Sequence, residues 1–300
     1  MAVNKNQLLA NHMAHCDRAV DAKPQPAAAT VILRLICACF PLVAHAGTQE
    51  TNDVSAAKPP IVLRVMTYNI HHGEGTDGRV DLGKIADVIK AQKVDIVGLQ
   101  EVDKGVARSG RLDFPAQLAS LTKMTCVFSN NFNYQGGEYG NAILSRHPVL
   151  FWTNTHLKML RSGEQRGLLQ AVIDVEGRRF VFMVTHIDYR RQDEERIMNV
   201  DEFKQIAKLY HRLPLIICGD FNDTPGSRTY NGMAHEFTDV WTVAGTGPGF
   251  TFPSQNPSKR IDYVWIRKEP DCLFPLRAWT VNTTASDHLP VVAEIRWTDL

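Results

Sequence analysis

The sequence has almost no net charge, because its 33 lysines and arginines are balanced by 32 aspartates and glutamates. A protein that holds nucleic acid mainly through a broad basic surface needs a clear excess of positive charge, since it must neutralise many phosphates. The balance therefore argues against that class of protein. It leaves room for an enzyme that touches only a few phosphates.

Cysteine is scarce and shows no pattern. The first 46 residues hold three of the six cysteines, and the others are widely spaced at Cys126, Cys218 and Cys272. This spacing offers neither the paired ligands of a structural zinc site nor the even framework of a disulfide-rich domain. The three have apolar neighbours, so we expect small core residues. One disulfide among them stays open as an alternative in an oxidising compartment.

The sequence also lacks an uninterrupted apolar run that could serve as a permanent membrane span. Residues 27–46 are rich in Ala, Val, Ile and Leu, but Arg34 and Pro41 interrupt them. They end in Ala44-His45-Ala46, the small-x-small pattern of a signal peptidase site. We predict that residues 1–46 are a signal peptide or, as second choice, an N-terminal anchor. The expected location is periplasmic or secreted, with anchoring to the membrane as the alternative.

The remaining chain is predicted to form one domain. Residues 47–60 are small and polar and should form a flexible tether, and no repeat, charge run or long linker divides residues 61–300. Helices are expected over residues 81–92, 114–121 and 192–211, among a larger number of strand-like segments. Many strands with few helices favour two packed sheets covered by helices. The last helix should bury its apolar stripe, which consists of Ile197, Val200, Phe203, Ile206 and Leu209.

Several apolar segments are followed abruptly by polar side chains. The residues concerned are Asn69, Glu101, His186, Asp220, Asn222, Asp262, Asp287 and His288. A strand that is buried along its length does not tolerate an unpaired carboxylate or amide, so we expect these groups at strand ends. One such residue is usually a helix cap or an ion-pair partner. The whole set favours a catalytic site.

These motifs, in this order, resemble the endonuclease/exonuclease/phosphatase superfamily of metal-dependent phosphoesterases, which includes pancreatic-type deoxyribonuclease and neutral sphingomyelinase. The most specific motifs are Gly219-Asp220-Phe221-Asn222 and Ser286-Asp287-His288, and the resemblance extends over residues 64–297. It implies an α+β fold, a four-layer α/β/β/α sandwich of two mainly antiparallel sheets flanked by helices. That architecture agrees with the strands expected above.

The resemblance also implies a divalent metal ion. Glu101 would be the main carboxylate on Mg²⁺, with Asn69 and Asp287 as further ligands or close neighbours. Hard oxygen ligands in a site with few carboxylates suit Mg²⁺, or Mn²⁺ as the alternative.

Catalytic roles follow from the same resemblance. His186 and Asn222 would donate hydrogen bonds to the phosphate oxygens as negative charge develops on them. Asp262 would bond to His288 and fix its tautomer. Asp220 would orient or deprotonate the attacking water. Either Asp220 or His288 could be the general base, and the sequence leaves this open.

Weaker signals surround this set. Arg108 lies in a polar loop after Glu101, and Asn141 precedes an apolar strand; both are candidate substrate contacts, although Asn141 also suits a turn. If His71 and His72 continue a strand, they point to opposite faces, so at most one should lie near the site. Four loop arginines could form a phosphate-attracting rim but are expected mostly in solvent: Arg161, Arg166, Arg190 and Arg191.

Three hypotheses for the function compete. The first is an exported, Mg²⁺-dependent hydrolase of phosphodiester or phosphomonoester bonds in small molecules or lipid head groups, acting by direct attack of water. The second is a secreted or periplasmic metal-dependent endonuclease, although nucleic acid is not the favoured substrate. The third and least favoured is a non-catalytic binding module of the same fold. We expect a monomer that contacts a membrane only through an uncleaved N-terminal segment.

Overall fold

A computed structural model describes residues 59–298. The predictions for the leader, and for residues 47–58 of the tether, therefore lie outside the described residues. Within residues 59–298, no helix is both long and apolar enough to cross a membrane.

The described chain contains two sheets of six strands each. The first sheet has the order β11-β12-β1-β2-β4-β3, and the second has the order β5-β6-β7-β8-β10-β9. The strand bounds are β1 Ile61–Asn69, β2 Ile96–Lys104, β3 Thr125–Tyr134, β4 Gly137–Ser145, β5 Val149–His156, β6 Gly167–Val175, β7 Arg178–His186, β8 Leu215–Asp220, β9 Phe237–Asp239, β10 Asp262–Arg267, β11 Leu273–Thr280 and β12 Val291–Trp297. The helices are α1 Leu82–Ala91, α2 Phe114–Thr122, α3 Glu194–Lys208, α4 Arg228–Ala234 and α5 Val240–Ala244.

Each sheet has one parallel pair near its middle, and its other neighbours are antiparallel. The parallel pairs are β1 with β2 in the first sheet and β7 with β8 in the second. The prediction of two mainly antiparallel sheets flanked by helices is confirmed. The short strand β9 at one edge was not predicted, because three residues are too few to show a periodicity.

The core lies between the inner faces of the two sheets. Val65 and Ile143 of the first sheet belong to the same buried cluster as Phe182, Val184 and Ile216 of the second. The other face of the first sheet is covered by α1 and α2, whose apolar side chains join a second buried cluster. Asp81 caps α1, as expected, because its carboxylate accepts a hydrogen bond from the Lys84 N–H.

The outer face of the second sheet is covered by α3 and α4. The ring centroids of Phe203 on α3 and Phe221 are 6.2 Å apart, and those of Tyr230 on α4 and Trp265 are 5.1 Å apart. The apolar stripe predicted for α3 is only partly correct. Val200 and Phe203 are buried, but Leu209 is 44% exposed, and the buried face also includes the polar residues Glu195, Arg196 and Asn199.

The three cysteines of the described domain are free thiols. Cys218 and Cys272 are buried, and Cys126 is partly exposed. This confirms the expectation of core residues for two of them, and the structure contains no disulfide among the three.

Candidate active site

The strands of both sheets deliver polar side chains to one place. β1 ends at Asn69, β7 ends at His186 and β8 ends at Asp220. β10 runs antiparallel to β8 and begins at Asp262, directly opposite Asp220 in the register. These positions agree with the expectation that polar groups emerge where buried strands end.

Glu101 reaches the site in a different way from the one predicted. β2 does not end there but continues to Lys104. Between Leu99 and Val102 the pairing with β4 shifts register, and Glu101 adopts a left-handed φ of 60°. A β-bulge of this kind redirects a side chain, and non-glycine residues tolerate positive φ mainly where surrounding structure enforces it.

Asn69 links the two sheets through its amide. Its Nδ2 donates to Glu101 Oε1 at 3.0 Å and to Asp220 Oδ2 at 3.1 Å, while its Oδ1 accepts from the His71 N–H at 3.0 Å. Ser286 Oγ donates to the Asn69 carbonyl at 2.7 Å and so ties the loop before His288 to β1. Asn69 therefore orients the Glu101 carboxylate in this structure.

Asp220 is buried and faces donors from several elements. His186 Nε2 lies 3.5 Å from its Oδ2, and His288 Nε2 lies 3.7 Å from the same oxygen. Its Oδ1 accepts the backbone N–H of Asn222 at 2.9 Å. Burial and the charge of Asp262 raise the pKa of Asp220 to about 7.

The hydrogen bond expected between Asp262 and His288 is present, with 2.9 Å between Asp262 Oδ2 and His288 Nδ1. The imidazole also packs against the ring of Phe252, with 4.9 Å between the two ring centroids. Burial lowers the pKa of His288, but the attraction and hydrogen bond of Asp262 outweigh it and raise the pKa to about 10. His288 is therefore held as an imidazolium near neutral pH.

His186 has a neighbour that sequence reasoning missed. Arg166, expected mostly in solvent, is only 3% exposed, and its Nη1 lies 3.1 Å from His186 Nδ1. Arginine has no acceptor, so His186 Nδ1 must accept and its proton must sit on Nε2, which faces Asp220. Burial and the Arg166 charge keep the pKa of His186 well below its usual value, so the ring is neutral.

The carboxylate of Glu101 is ionised. Burial raises its pKa, but the nearby His72, the Asn69 amide and the positive charge of His288 lower it on balance to well below its usual range. Its carboxylate offers hard oxygen donors at a partly open position, where the Glu101 side chain is 19% exposed, while the Asn69 amide turns its Nδ2 towards it. This donor chemistry fits Mg²⁺ or Mn²⁺.

Asp287 and Asn222 border the same site. The Asp287 side chain is 37% exposed and its Oδ1 lies 3.9 Å from His71 Nδ1. The Asn222 side chain already donates to the Ile187 carbonyl at 3.1 Å, and its backbone has a left-handed φ of 49°.

The prediction for His71 and His72 was wrong. They do not continue β1 but form a 3₁₀ turn, His71–Gly73, with φ of 44° and 43°. Both rings therefore border the site. His71 lies beside Asp287, and His72 Nδ1 lies 3.8 Å from Glu101 Oε2.

The two candidate substrate contacts are engaged with the protein. Arg108 makes two hydrogen bonds of 2.9 Å to the buried Asp103 and lies over the rings of Tyr134 and Tyr139. Asn141 is not a turn residue but a buried residue of β4. Its Nδ2 donates to the Gly167 carbonyl at 3.1 Å. Arg108 keeps a partly exposed side chain, at 27%.

The sequence model of the Endonuclease/Exonuclease/phosphatase family matches residues 66–288, and the chain belongs to this family. Its members are mostly phosphoester hydrolases, both phosphatases and nucleases, that generally use a divalent metal ion. The fold and the site thus define a phosphoesterase scaffold.

Known proteins show how far this similarity reaches. The chain is 28% identical over 255 residues to the uncharacterized protein YbhP of Escherichia coli. The aligned region covers 78% of this chain and 96% of YbhP. An endonuclease/exonuclease/phosphatase from Beutenbergia cavernae is 26% identical with a TM-score of 0.62, over 79% of this chain and 72% of that one. A family protein from Bacteroides thetaiotaomicron shares the fold with a TM-score of 0.68 at 18% identity, over 81% and 100% of the two chains.

Proposed function

We propose that the protein is an exported, Mg²⁺-dependent phosphoesterase that hydrolyses phosphodiester or phosphomonoester bonds of small molecules or lipid head groups. The observation that carries the proposal is the environment of Asp220. Its buried carboxylate faces the Nε2 atoms of His186 and His288, at 3.5 and 3.7 Å, beside the ionised Glu101. A site with an acceptor and two flanking donors suits the attack of water on a phosphate.

The role of each side chain follows from the atom that it can still offer as a hydrogen-bond donor or acceptor to water or phosphate. Asp220 Oδ2 can accept a proton or a hydrogen bond from the attacking water. His288, charged and held by Asp262 at 2.9 Å, can donate through Nε2 to a phosphate oxygen. His186 can donate through its Nε2–H, because Arg166 occupies Nδ1. Asp220 and His288 thus share the proton-handling role, with Asp220 better placed to accept.

Glu101 would hold the metal ion, with Asn69 and Asp287 as candidate ligands or orienting groups. When bound, Mg²⁺ would polarise the phosphate and stabilise the leaving group. The carboxylates that would hold the metal ion come from β2 and from the loop before β12. Of the two proton-handling residues, Asp220 ends β8 of the second sheet and His288 lies in that same loop.

A small-molecule or lipid head-group substrate is favoured over nucleic acid by charge. The formal net charge is only +1, so long-range attraction of a polyanion is weak. Arg108, a candidate substrate contact in the polar loop, is already paired with Asp103. A metal-dependent endonuclease is the second candidate, because the family includes nucleases.

Turnover assays with a panel of substrates separate these candidates. The purified protein, freed of metal and then supplied with Mg²⁺, should hydrolyse bis-p-nitrophenyl phosphate, inositol phosphates or sphingomyelin faster than it nicks plasmid DNA. Rapid nicking with little small-ester hydrolysis would favour the endonuclease instead. If no substrate turned over with Mg²⁺ or Mn²⁺, the chain would be a binding module. N-terminal sequencing of the exported protein tests cleavage before Gly47.

Two substitutions test the residue roles. We expect Glu101→Gln and His288→Gln each to lower kcat by about 10²–10⁴-fold, the range for loss of a group that acts in the transition state. Glu194→Gln, a change of the same kind at an exposed position of α3, should leave kcat unchanged. Rates near wild type in Glu101→Gln or His288→Gln would refute the assigned site.

A further inference from the structure

His71, His72 and Glu74 bring two imidazoles and a carboxylate together beside the site described above. One ligand atom of each residue lies within 4.8 Å of the corresponding atoms of the other two. We propose that these residues bind a transition-metal dication, with Zn²⁺ preferred, at a centre separate from the one assigned to Glu101.

The orientation of His72 supports this assignment. Its Nε2 lies 3.6 Å from Glu74 Oε2, whereas its Nδ1 lies 3.8 Å from Glu101 Oε2. Nδ1 is buried and has no hydrogen-bond partner within the described part of the chain. A histidine that binds a metal through one nitrogen characteristically turns the other towards a carboxylate. His72 is arranged in this way, with Nε2 on the cluster and Nδ1 towards Glu101.

The backbone keeps both imidazoles on the same side. His71 and His72 have consecutive left-handed φ values of 44° and 43°, and their ring centroids are 4.2 Å apart. His71 Nδ1 also lies 3.3 Å from the Glu74 carbonyl oxygen, a contact that can fix the tautomer of this ring.

The donor set distinguishes this centre from the one at Glu101. Two imidazole nitrogens and one carboxylate are typical of Zn²⁺ and related transition metals, whereas Mg²⁺ prefers oxygen ligands. The side chains of His71 and Glu74 are 32% and 39% exposed. A metal held there would keep a coordination position open to water or to a substrate oxygen.

Calorimetric titration of the full chain with Zn²⁺, and separately with Mg²⁺, tests the proposal after metal removal. The test variant is His71→Asn combined with His72→Asn, because asparagine tolerates a positive φ. It should lose one Zn²⁺ equivalent, or bind it more than about 100-fold more weakly, since even outer-shell losses cost roughly 10–100-fold. Its Mg²⁺ affinity should stay within a few-fold of wild type.

Glu101→Gln is the matched control, because it should lose Mg²⁺ affinity while still binding that Zn²⁺ equivalent, more weakly by at most the roughly 10–100-fold expected for an outer carboxylate partner of His72. Any Zn²⁺ bound by histidines and cysteines elsewhere is common to variant and wild type, so the difference between the two proteins is the measured quantity. Should the double variant fail to fold, as judged by circular dichroism, the partly exposed Glu74→Gln replaces it. The proposal is overturned if these variants keep every Zn²⁺ equivalent at unchanged affinity. It is equally overturned if Glu101→Gln loses the same equivalent, because one shared centre would then explain both.

Discussion

At the scale of single residues, the contact between Arg166 and His186 decides how the site can work. A neutral imidazole can present either nitrogen as the donor, and the two choices give opposite chemistry at Asp220. The guanidinium of Arg166 removes the choice, because it can only donate to His186 Nδ1, at 3.1 Å. An ion pair, with 2.9 Å between Arg166 Nη2 and Glu164 Oε2, holds the guanidinium in place. Arg166 is therefore a positioning residue.

Replacing Arg166 by methionine should release the His186 ring. With the positive charge gone, the pKa of His186 should rise towards its usual value and Nδ1 should become able to carry a proton. We expect kcat to fall by about 10²–10³-fold, the effect of losing one preorganised donor. Nitrogen-15 chemical shifts of the imidazole report the tautomer directly.

Arg161→Met serves as the control for Arg166→Met, because the Arg161 side chain is 45% exposed and lies 3.8 Å from Glu194. It should change neither the His186 shifts nor kcat. Unchanged His186 shifts in Arg166→Met would contradict the positioning role, even if activity fell.

The strand-end residues of the site could be predicted from the sequence, and the residues in irregular backbone could not. Asn69, His186 and Asp220 follow apolar runs, and burial forces such groups to strand ends. Glu101 depends on a bulge, and the positive φ of His71 and His72 has no signature in residue type. The burial of Arg166 could not be predicted either, because its partner His186 lies 20 residues further along the sequence.

At the scale of elements, the two sheets approach each other closely where β2 packs against β8. A Cβ on Gly98 would lie 2.5 Å from Cys218 Sγ and 2.7 Å from Val184 Cγ2, both shorter than real contacts. The approach matters for the site, because Cys218 and Gly98 lie two and three residues before Asp220 and Glu101 in their strands. Gly98 thus sets the spacing between the sheets just behind the active site.

A double-mutant cycle tests this spacing. Gly98→Ala should destabilise the fold by about 1–3 kcal/mol through overpacking, and Cys218→Ala by about 1 kcal/mol through the space it leaves. Because Cys218→Ala removes the nearest clashing atom, the double variant should lose less than the sum, by at least about 0.5 kcal/mol. Urea unfolding followed by circular dichroism gives the three free energies. Strict additivity would show that Gly98 and Cys218 do not compete for the same space.

The helix α3 shows why an apolar stripe is an incomplete guide. Its buried face contains Glu195, which accepts from the Leu160 N–H at 2.9 Å, and Asn199, which donates to the Lys158 carbonyl at 3.0 Å. Arg196 reaches Asp223 at 3.2 Å and the Asp188 carbonyl at 3.0 Å. These polar groups hold the loops around the active site. Hydrophobic periodicity predicted the position of the helix, but it could not predict buried polar side chains that form hydrogen bonds to neighbouring loops.

At the scale of the whole molecule, the sandwich separates the two halves of the proposed chemistry. The first sheet supplies the Asn69 amide and the carboxylate of Glu101, and the second supplies His186, Asp220 and Asp262. The amide of Asn69 joins the halves by bonding to Glu101 and Asp220 at 3.0 and 3.1 Å. His288, from the loop before β12, adds its 2.9 Å bond to Asp262. The site therefore requires the two sheets to keep their relative position, and the tightly packed core between them provides that rigidity.

The same close packing predicts how the thiols of the folded domain respond to pH. Burial and the charge of Asp113 raise the pKa of the Cys126 thiol to about 12, and burial raises the pKa of Cys272 to about 11 and that of Cys218 still higher. Only the thiolate reacts with iodoacetamide. At pH 8, native Cys126 should therefore react roughly 10³-fold more slowly than the same thiol in urea, where its pKa returns to about 8.5. Below its pKa, the native rate should rise about tenfold per pH unit.

Peptide mass spectrometry after timed labelling measures the rate at each cysteine separately, with the urea-unfolded protein as the reference. Cys126 is the informative site, because it is partly exposed, so reagent access alone would not protect it. Native and unfolded Cys126 reacting at equal rates at pH 8 would show that its surroundings do not resist the charge. A slow rate that did not increase with pH would instead assign the protection to access, which is the behaviour expected of the fully enclosed Cys218.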